Sequence, residues 1–324
     1  MRRIRECFLA LTCLAALVLL APAAFAQAWP QRPVKLLLPL GAGSGVDIGA
    51  RLFADRLSRR WGQPVVVENR PGGDGLVAIG AFASAHDDHV LLVCPTSSFT
   101  AHPYLHDVLP YKPGDLVPIA RVSNTVITVS VPLSLKVGSL ADLLALAREK
   151  PGKLNWAGMT GALDFALEGF LKKEDVSISK VPYRNPVEAA NDLAEGRVQL
   201  FEAAMAIVQP QLQAGKVRML AVTNSVRAPA APSVPTVAEA GYPFLTLDGL
   251  VGYFGPPEMS GDVRERIAAD IRAVGDDPII ASRLETSGQI LNIGGPAEFA
   301  AAIAAQRAKV DEVARALGMR VKED

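Results

Sequence analysis

The stretch from Val34 to Leu57 constrains the fold of this chain more than any other. It opens with an apolar run at 34–38, which is typical of a buried strand. A turn with almost no side chains follows, Gly41-Ala42-Gly43-Ser44-Gly45. From Asp47 onward, apolar residues recur at helical spacing and charged residues take the opposite face. The sequence therefore predicts a strand, a glycine turn and the N-terminus of a helix.

This glycine turn has two interpretations, and the residues alone leave both open. It is either a tight turn or an anion site, because glycines allow close approach of the backbone and unpaired N–H groups at a helix N-terminus favour phosphate or carboxylate. A phosphate-binding loop would need Lys and then Ser/Thr where Val46-Asp47 stand. A dinucleotide fingerprint would need a small residue at Val46 or Ile48. We therefore expect no nucleotide cofactor.

Residues 1–26 have the organisation of a secretion signal. Three arginines precede an apolar centre at 8–20, and Ala24-Phe25-Ala26 forms a cleavage site, so the mature chain should begin at Gln27. The apolar centre is too short for a comfortable membrane span. Thr12 fits poorly before Cys13 in a lipoprotein motif, so no lipid anchor is expected. The sequence predicts a soluble, exported protein.

Charge and cysteine content exclude several classes of protein. The 33 basic and 33 acidic residues fall to 30 and 32 once the leader's three arginines and one glutamate are removed, and this balance argues against nucleic acid as a partner. Only Cys94 remains after cleavage, so no internal disulfide is possible. It lies in the apolar run VLLVCP, which favours a buried structural thiol. His86 and His89 are interpreted as solvated loop residues, with no metal site expected.

The chain then alternates strands and helices. Apolar runs at 64–67 and 90–94 flank a helix of small residues, and this order predicts a parallel, doubly wound α/β sheet. In such sheets ligands lie beyond the carboxyl ends of strands. Thr96, Ser97 and Ser98 follow the third strand there, either as donors to a ligand or as a cap for the next helix.

A second strand–turn–helix unit follows an alternating segment at 116–131, read as one long strand or two. Ser139 should cap a helix at 140–149. The unit itself comprises a strand at 154–157, the small-residue turn Gly158–Gly161 and a helix at 162–173. Two such units suggest two lobes that face one cleft.

By its motifs the chain resembles the substrate-binding proteins of tripartite tricarboxylate transporters, the Bug family. The matching segments are Trp29–Pro39, the glycine turn with Asp47 and Ala50-Arg51, Gly62–Gly73, Lys150–Ala157, Val181–Arg184, Gly215–Thr223 and VPTVAEAGYP at Val234–Pro243. This resemblance implies a type II periplasmic-binding fold, with two doubly wound α/β lobes and a ligand cleft between them. Lobe one would comprise 27–126 plus 252–324, and lobe two 127–251.

The resemblance also implies a site for a small carboxylate, held by backbone amides, hydroxyls and water. The residues that correspond to the contact loops are Leu40, Gly41, Ala42, Gly43, Ser44, Asp47, Thr96, Ser97, Gly158, Met159, Thr160, Gly161, Tyr183, Arg184 and Ala204. These loops supply few cations, so a monocarboxylate or a dicarboxylate with an apolar middle is expected rather than citrate. The chain departs from the family pattern at Val46, Asn185, Glu202-Ala203-Ala204 and Leu250, which leaves the ligand open.

The resemblance implies that the protein is a monomeric periplasmic protein that delivers its ligand to membrane permease subunits. A sensor subunit that docks a membrane receptor would share the fold and is the alternative. A secreted hydrolase is the third class. Its single motif, Ser177 and Lys180 in Ser-x-x-Lys, lacks the companion motifs of such enzymes. We therefore expect no enzyme.

Overall fold

The computed structural model describes residues 29–159 and 161–321, so the predicted secretion signal and Thr160 lie outside the described residues. Helices of these two ranges lack the combination of length and apolar character that a membrane crossing requires.

Strands and helices alternate through most of the described chain. The strands are β1 Val34–Leu38, β2 Val65–Asn69, β3 Val90–Pro95, β4 Val117–Thr125, β5 Ile127–Pro132, β6 Leu154–Gly158, β7 Ile178–Pro182, β8 Leu200–Ala204, β9 Val217–Val222, β10 Gly249–Gly255 and β11 Gln289–Gly294. The helices are α1 Gly45–Trp61, α2 Leu76–Ala83, α3 His102–Leu105, α4 Leu140–Glu149, α5 Gly161–Lys173, α6 Pro186–Ala194, α7 Met205–Gln213, α8 Gly261–Gly275, α9 Pro278–Thr286 and α10 Pro296–Leu317. Short 3₁₀ turns occupy Gly73–Gly75, Thr96–Ser98, Pro113–Asp115, Leu133–Leu135 and Pro243–Leu245.

The strands form two mixed sheets. The first has the order β11-β4-β10-β3-β1-β2, in which β1 runs parallel to β2 and β3 while β10, β4 and β11 pair antiparallel. The second has the order β7-β6-β8-β5-β9, with β6 parallel to β7 and β8. The segment 116–131 is thus two strands in different sheets, because the chain changes sheet between Thr125 and Ile127. It re-enters the first sheet at Gly249.

Each sheet buries apolar side chains against helices. Helices α1 and α8 cover one face of the first sheet with residues such as Phe53 and Ile267, and α2 covers the other. The last helix, α10, contributes to both units. Its Phe299 and Ile303 pack in the core of the first sheet, whereas Val310 and Val313 pack in the core of the second.

Several local predictions can be compared directly with these contacts. Ser139 caps α4, since its Oγ accepts a hydrogen bond from Asp142 N at 3.1 Å, and Cys94 is fully buried as expected. His86 is exposed, but the prediction of a solvated His89 is wrong. The His89 ring is buried, and both of its nitrogens have partners within the protein. Nε2 accepts a hydrogen bond from Gln31 N at 3.1 Å, and Nδ1 lies 2.6 Å from Asp88 Oδ1.

Candidate functional site

The two units touch at the carboxyl ends of their parallel strands. Asp74, in the loop after β2, approaches Gly161, the first residue of α5. A side chain on Gly161 would place its Cβ 2.9 Å from Asp74 Oδ1. Gly161, one of the residues predicted from the sequence to hold a ligand, therefore lies at a contact between the two units.

Asp47 organises the turn that follows β1. Its Oδ2 accepts hydrogen bonds from Gly43 N at 2.9 Å and Arg51 Nε at 3.0 Å, and its Oδ1 accepts one from Asn69 Nδ2 at 2.9 Å. Burial of Asp47 opposes ionisation, but the hydrogen bonds from Arg51, Gly43 and Asn69 outweigh it and hold the pKa of this carboxyl below its usual range. Asp47 is thus an ionised, internally satisfied group.

This arrangement changes the interpretation of the glycine turn. The Gly43 N–H serves Asp47, and Ser44 is the N-cap of α1, with its Oγ accepting from Asp47 N at 3.2 Å. The Leu40 carbonyl accepts from the Asn69 amide at 2.9 Å. The amides of Gly41 and Ala42 are exposed and have no hydrogen-bond partner in the ranges 29–159 and 161–321. Exposed backbone N–H groups without a partner can donate to an anion.

The second unit has the same arrangement of an aspartate in the first helical turn and a backbone N–H of the preceding turn. Asp164, in the first turn of α5, accepts a hydrogen bond from Met159 N at 3.0 Å, and Lys180 Nζ lies 2.9 Å from its Oδ2. Burial raises the pKa of this carboxyl, against the opposing effect of Met159 and Lys180. The Lys180 stem lies over Gly158, where an added Cβ would stand 2.4 Å from Lys180 Cε. Gly158 therefore packs against protein and leaves no room on that side for a ligand.

Some of the remaining predicted residues have hydrogen-bond partners within the protein, and others are accessible to a ligand. Thr96 is buried, and its hydroxyl donates to Gln306 on α10. The Tyr183 hydroxyl donates to Asp192 Oδ2 at 2.7 Å, and burial together with this aspartate raises the pKa of Tyr183 to about 12. Ser97 and Ala204 are half-buried. Arg184 is exposed and has no ionic partner among the described residues, so its charge is available to a ligand.

Sequence reasoning missed an unusual acid in the second sheet. Glu202 on β8 is buried, and neither carboxylate oxygen has a hydrogen-bond partner among the described residues. Burial raises its pKa well above the usual range, and the nearby Asp164 raises it further. The side chain is therefore held neutral. A glutamate within the apolar strand LFEAA was the available signal.

Sequence reasoning also missed a second group, Asp74, His102 and His106, whose ligand atoms lie within 4.8 Å of one another at the boundary between the units. The available signal was the spacing of the two histidines, four residues apart. His86 and His89, the two histidines weighed as a metal pair from the sequence, lie outside this group.

A concave surface of about 840 Å³ lies elsewhere, between α4, α5 and β7, and none of the predicted site residues lines it. Ser177 and Lys180 both lie on this surface. Lys180 Nζ is 2.8 Å from Glu168 Oε1 as well as 2.9 Å from Asp164, so its ammonium is held by two carboxylates. It is not available as the base that a Ser-x-x-Lys hydrolase requires.

Comparisons with known proteins agree with this architecture. The chain matches the family described as "Tripartite tricarboxylate transporter family receptor" over residues 49–319. A UPF0065 protein of Bordetella bronchiseptica is 32% identical over 304 residues, which cover 92% of this chain and 90% of that protein. An R. palustris structure with adipate is 29% identical with a TM-score of 0.79, covering 90% of this chain and 99% of that one. The periplasmic binding protein BugD is 25% identical with a TM-score of 0.77, over 90% and 99%.

These likenesses confirm the predicted fold class, an α/β periplasmic-binding fold. They also place the chain among solute-binding proteins and not among enzymes. With a family match over residues 49–319 and a relative 32% identical along nearly its whole length, the chain belongs to the tripartite tricarboxylate transporter receptor family, the Bug family of solute-binding proteins.

Proposed function

We propose that this protein is exported to the periplasm, captures a small carboxylate between two lobes, and delivers it as a monomer to the permease subunits of a tripartite transporter. The lobes are residues 27–126 with 252–324, and residues 127–251. Family membership supports this role, and a 29%-identical relative has a structure with adipate. An intact mass that begins at Gln27 in a periplasmic extract would support export, and a mass that retains residues 1–26 would contradict it.

One observation carries the choice of ligand. Among the predicted site residues, the backbone amides of Gly41 and Ala42 and the exposed guanidinium of Arg184 have no hydrogen-bond or ionic partner in the part of the chain that the structure describes. Such a set satisfies one carboxylate with neutral donors and leaves a single cation for a second one. A monocarboxylate, or a dicarboxylate with an apolar middle, therefore fits better than citrate.

The test is calorimetric titration with butyrate, adipate and citrate. We expect adipate or butyrate to bind more tightly than citrate. Arg184→Ala should weaken adipate about tenfold or more, since one charge-assisted hydrogen bond contributes about 1.5–3 kcal/mol. Arg266→Ala, which removes an exposed arginine on α8, is the matched control and should change nothing. Citrate binding far more tightly than both other acids would overturn the ligand class.

A further inference from the structure

Three potential metal ligands from separate segments meet beside Gly161. His102 is the first residue of the short helix α3 and His106 is the residue that follows it, and their ring centroids lie 5.0 Å apart. His106 Nε2 lies 3.4 Å from Asp74 Oδ2. His102 Nε2 lies 3.6 Å from the same oxygen and 2.9 Å from the Asp74 carbonyl oxygen. The cluster is therefore two imidazoles and one carboxylate around a common point.

These spacings match those of a coordination sphere. Zinc binds imidazole nitrogen and carboxylate oxygen at about 2.0–2.2 Å, so neighbouring ligands of a tetrahedral site stand roughly 3.3 Å apart. The distances of His106 and His102 from Asp74 Oδ2, 3.4 and 3.6 Å, are close to this value. Two imidazoles with one carboxylate suit zinc and other divalent transition metals better than calcium or magnesium.

A further residue supports the ligand role of His102. The Tyr111 hydroxyl lies 2.8 Å from His102 Nδ1. A metal-bound histidine usually donates its second N–H to an acceptor, and a tyrosine oxygen can accept or donate. Tyr111 is compatible with both proton positions on His102. Its hydroxyl can donate to Nδ1 while Nε2 donates to the Asp74 carbonyl, and it can accept from a protonated Nδ1 when Nε2 binds a metal.

A second acid–histidine cluster, Asp87, Asp88 and His89, lacks these properties. Arg32 pairs with Asp87 at 2.6 Å, and the His89 Nε2 accepts a backbone N–H. Both would have to be displaced before a metal could bind. In the Asp74 cluster, His102 Nε2 would exchange its hydrogen bond to the Asp74 carbonyl for the metal, and among the described residues no arginine pair like that of Asp87 has to be broken at either histidine.

We propose that Asp74, His102 and His106 form a binding site for a divalent transition metal at the boundary between the lobes. His102 is fully buried, whereas the His106 side chain is 29% exposed and gives the site an opening. The other carboxylate oxygen, Asp74 Oδ1, faces Gly161 across the boundary. All three side chains belong to the first unit, and water or another ligand would complete a tetrahedral site.

The test uses full-length mature protein without a polyhistidine tag, stripped with a chelator and titrated with Zn²⁺ alone by calorimetry. We expect one Zn²⁺ per chain. Tyr111→Phe should weaken binding about 10–100-fold, the usual effect of losing an outer hydrogen bond. His106→Ala and Asp74→Asn should weaken it more than that. His86→Ala removes an exposed histidine outside the cluster and should bind as the wild type does.

His102→Ala is avoided because this ring is buried in the network, and circular dichroism confirms that each variant used is folded. Absence of stoichiometric Zn²⁺ binding would overturn the site, as would wild-type affinity in both His106→Ala and Asp74→Asn. An equal loss in His86→Ala would show non-specific binding and overturn it too. Since no carboxylate is present in this titration, its result is independent of the proposed solute-binding function.

Discussion

Asp47 and Asp164 occupy matching positions in the two strand–turn–helix units. Each lies in the first turn of its helix and accepts a hydrogen bond from the preceding turn, from Gly43 N at 2.9 Å and from Met159 N at 3.0 Å. Both helix N-termini therefore already face an internal carboxyl group. An anionic ligand must therefore use other donors, and the candidates are the backbone amides of Gly41 and Ala42 and the side chain of Arg184.

Gly43→Ala should lower the free energy of unfolding. Gly43 has φ +83°, a conformation that costs an L-residue about 1–2 kcal/mol, and no atom would obstruct the added methyl group. Gly41→Ala is the matched control, because it adds a methyl group to open space in the same turn without a positive φ. Urea unfolding of both variants measures the difference. Equal stability of the two would show that the turn tolerates a side chain at Gly43.

Asp47→Asn should destabilise the protein at pH 7 by about 1.5–3 kcal/mol, since hydrogen bonds to an ionised group are lost. The pKa of Asp47 is lowered in the folded state, so its stabilisation is complete above the ordinary aspartate pKa of about 3.9. It is lost as the pH falls through the lowered folded-state value. The difference between wild type and Asp47→Asn should therefore begin to shrink below about pH 4 and disappear only below the lowered folded-state pKa.

Unfolding curves between pH 3 and pH 8 measure this difference. Asp55→Asn, on the same helix with a side chain 47% exposed, is the control and should cost less than about 1 kcal/mol. A gap between wild type and Asp47→Asn that stays constant down to pH 3 would argue against the ionised network.

Glu202→Gln should become more stabilising as the pH rises. The folded-state pKa of Glu202 is raised, so the folded protein retains a proton that the unfolded chain releases above its ordinary glutamate pKa, about 4.3. Wild-type stability therefore falls with increasing pH in that range, and the glutamine variant avoids this loss. Thermal unfolding at pH 4, 6 and 8, with the exposed Glu149→Gln as control, measures it. A pH-independent difference would refute the neutral, buried acid.

Gly161→Ala should lower the free energy of unfolding more than Gly152→Ala does. The added Cβ would lie 2.9 Å from Asp74 Oδ1, and φ at this glycine is +82°. Gly152→Ala carries a similar backbone strain, with φ +69°, but its added Cβ would meet only Ser177 Oγ at 3.9 Å. Urea unfolding of both variants measures the difference. Equal stability of the two would mean that the contact between Asp74 and Gly161 adds nothing to the strain of the backbone.

The sequence predicted features that depend on neighbouring residues. The strand at 34–38 has the predicted bounds, and Ser139 caps its helix because a cap needs only the next three residues. The fold class followed from the order of such elements and from family motifs.

Features that depend on distant residues were missed. Nothing near Gly43 indicates that Asp47 takes its N–H while Asn69, from another strand, holds the same carboxylate. The burial of His89 depends on Gln31, 58 residues earlier. Helix α9 and strand β11 were not predicted, because their weak local patterns acquire meaning only when β11 pairs with β4. The site is made of such long-range contacts, and so most of its geometry was not accessible from sequence.

Both units need the final helix, α10, to complete their cores. Because α10 contributes Phe299 to one core and Val313 to another, neither unit has its complete core until almost the last residue has been synthesised. Since synthesis proceeds from the N-terminus, both cores lack the residues of α10 until translation is nearly over. On the proposed export route, this delay keeps the polypeptide loose enough to thread through a narrow channel, and folding follows on the far side of the membrane.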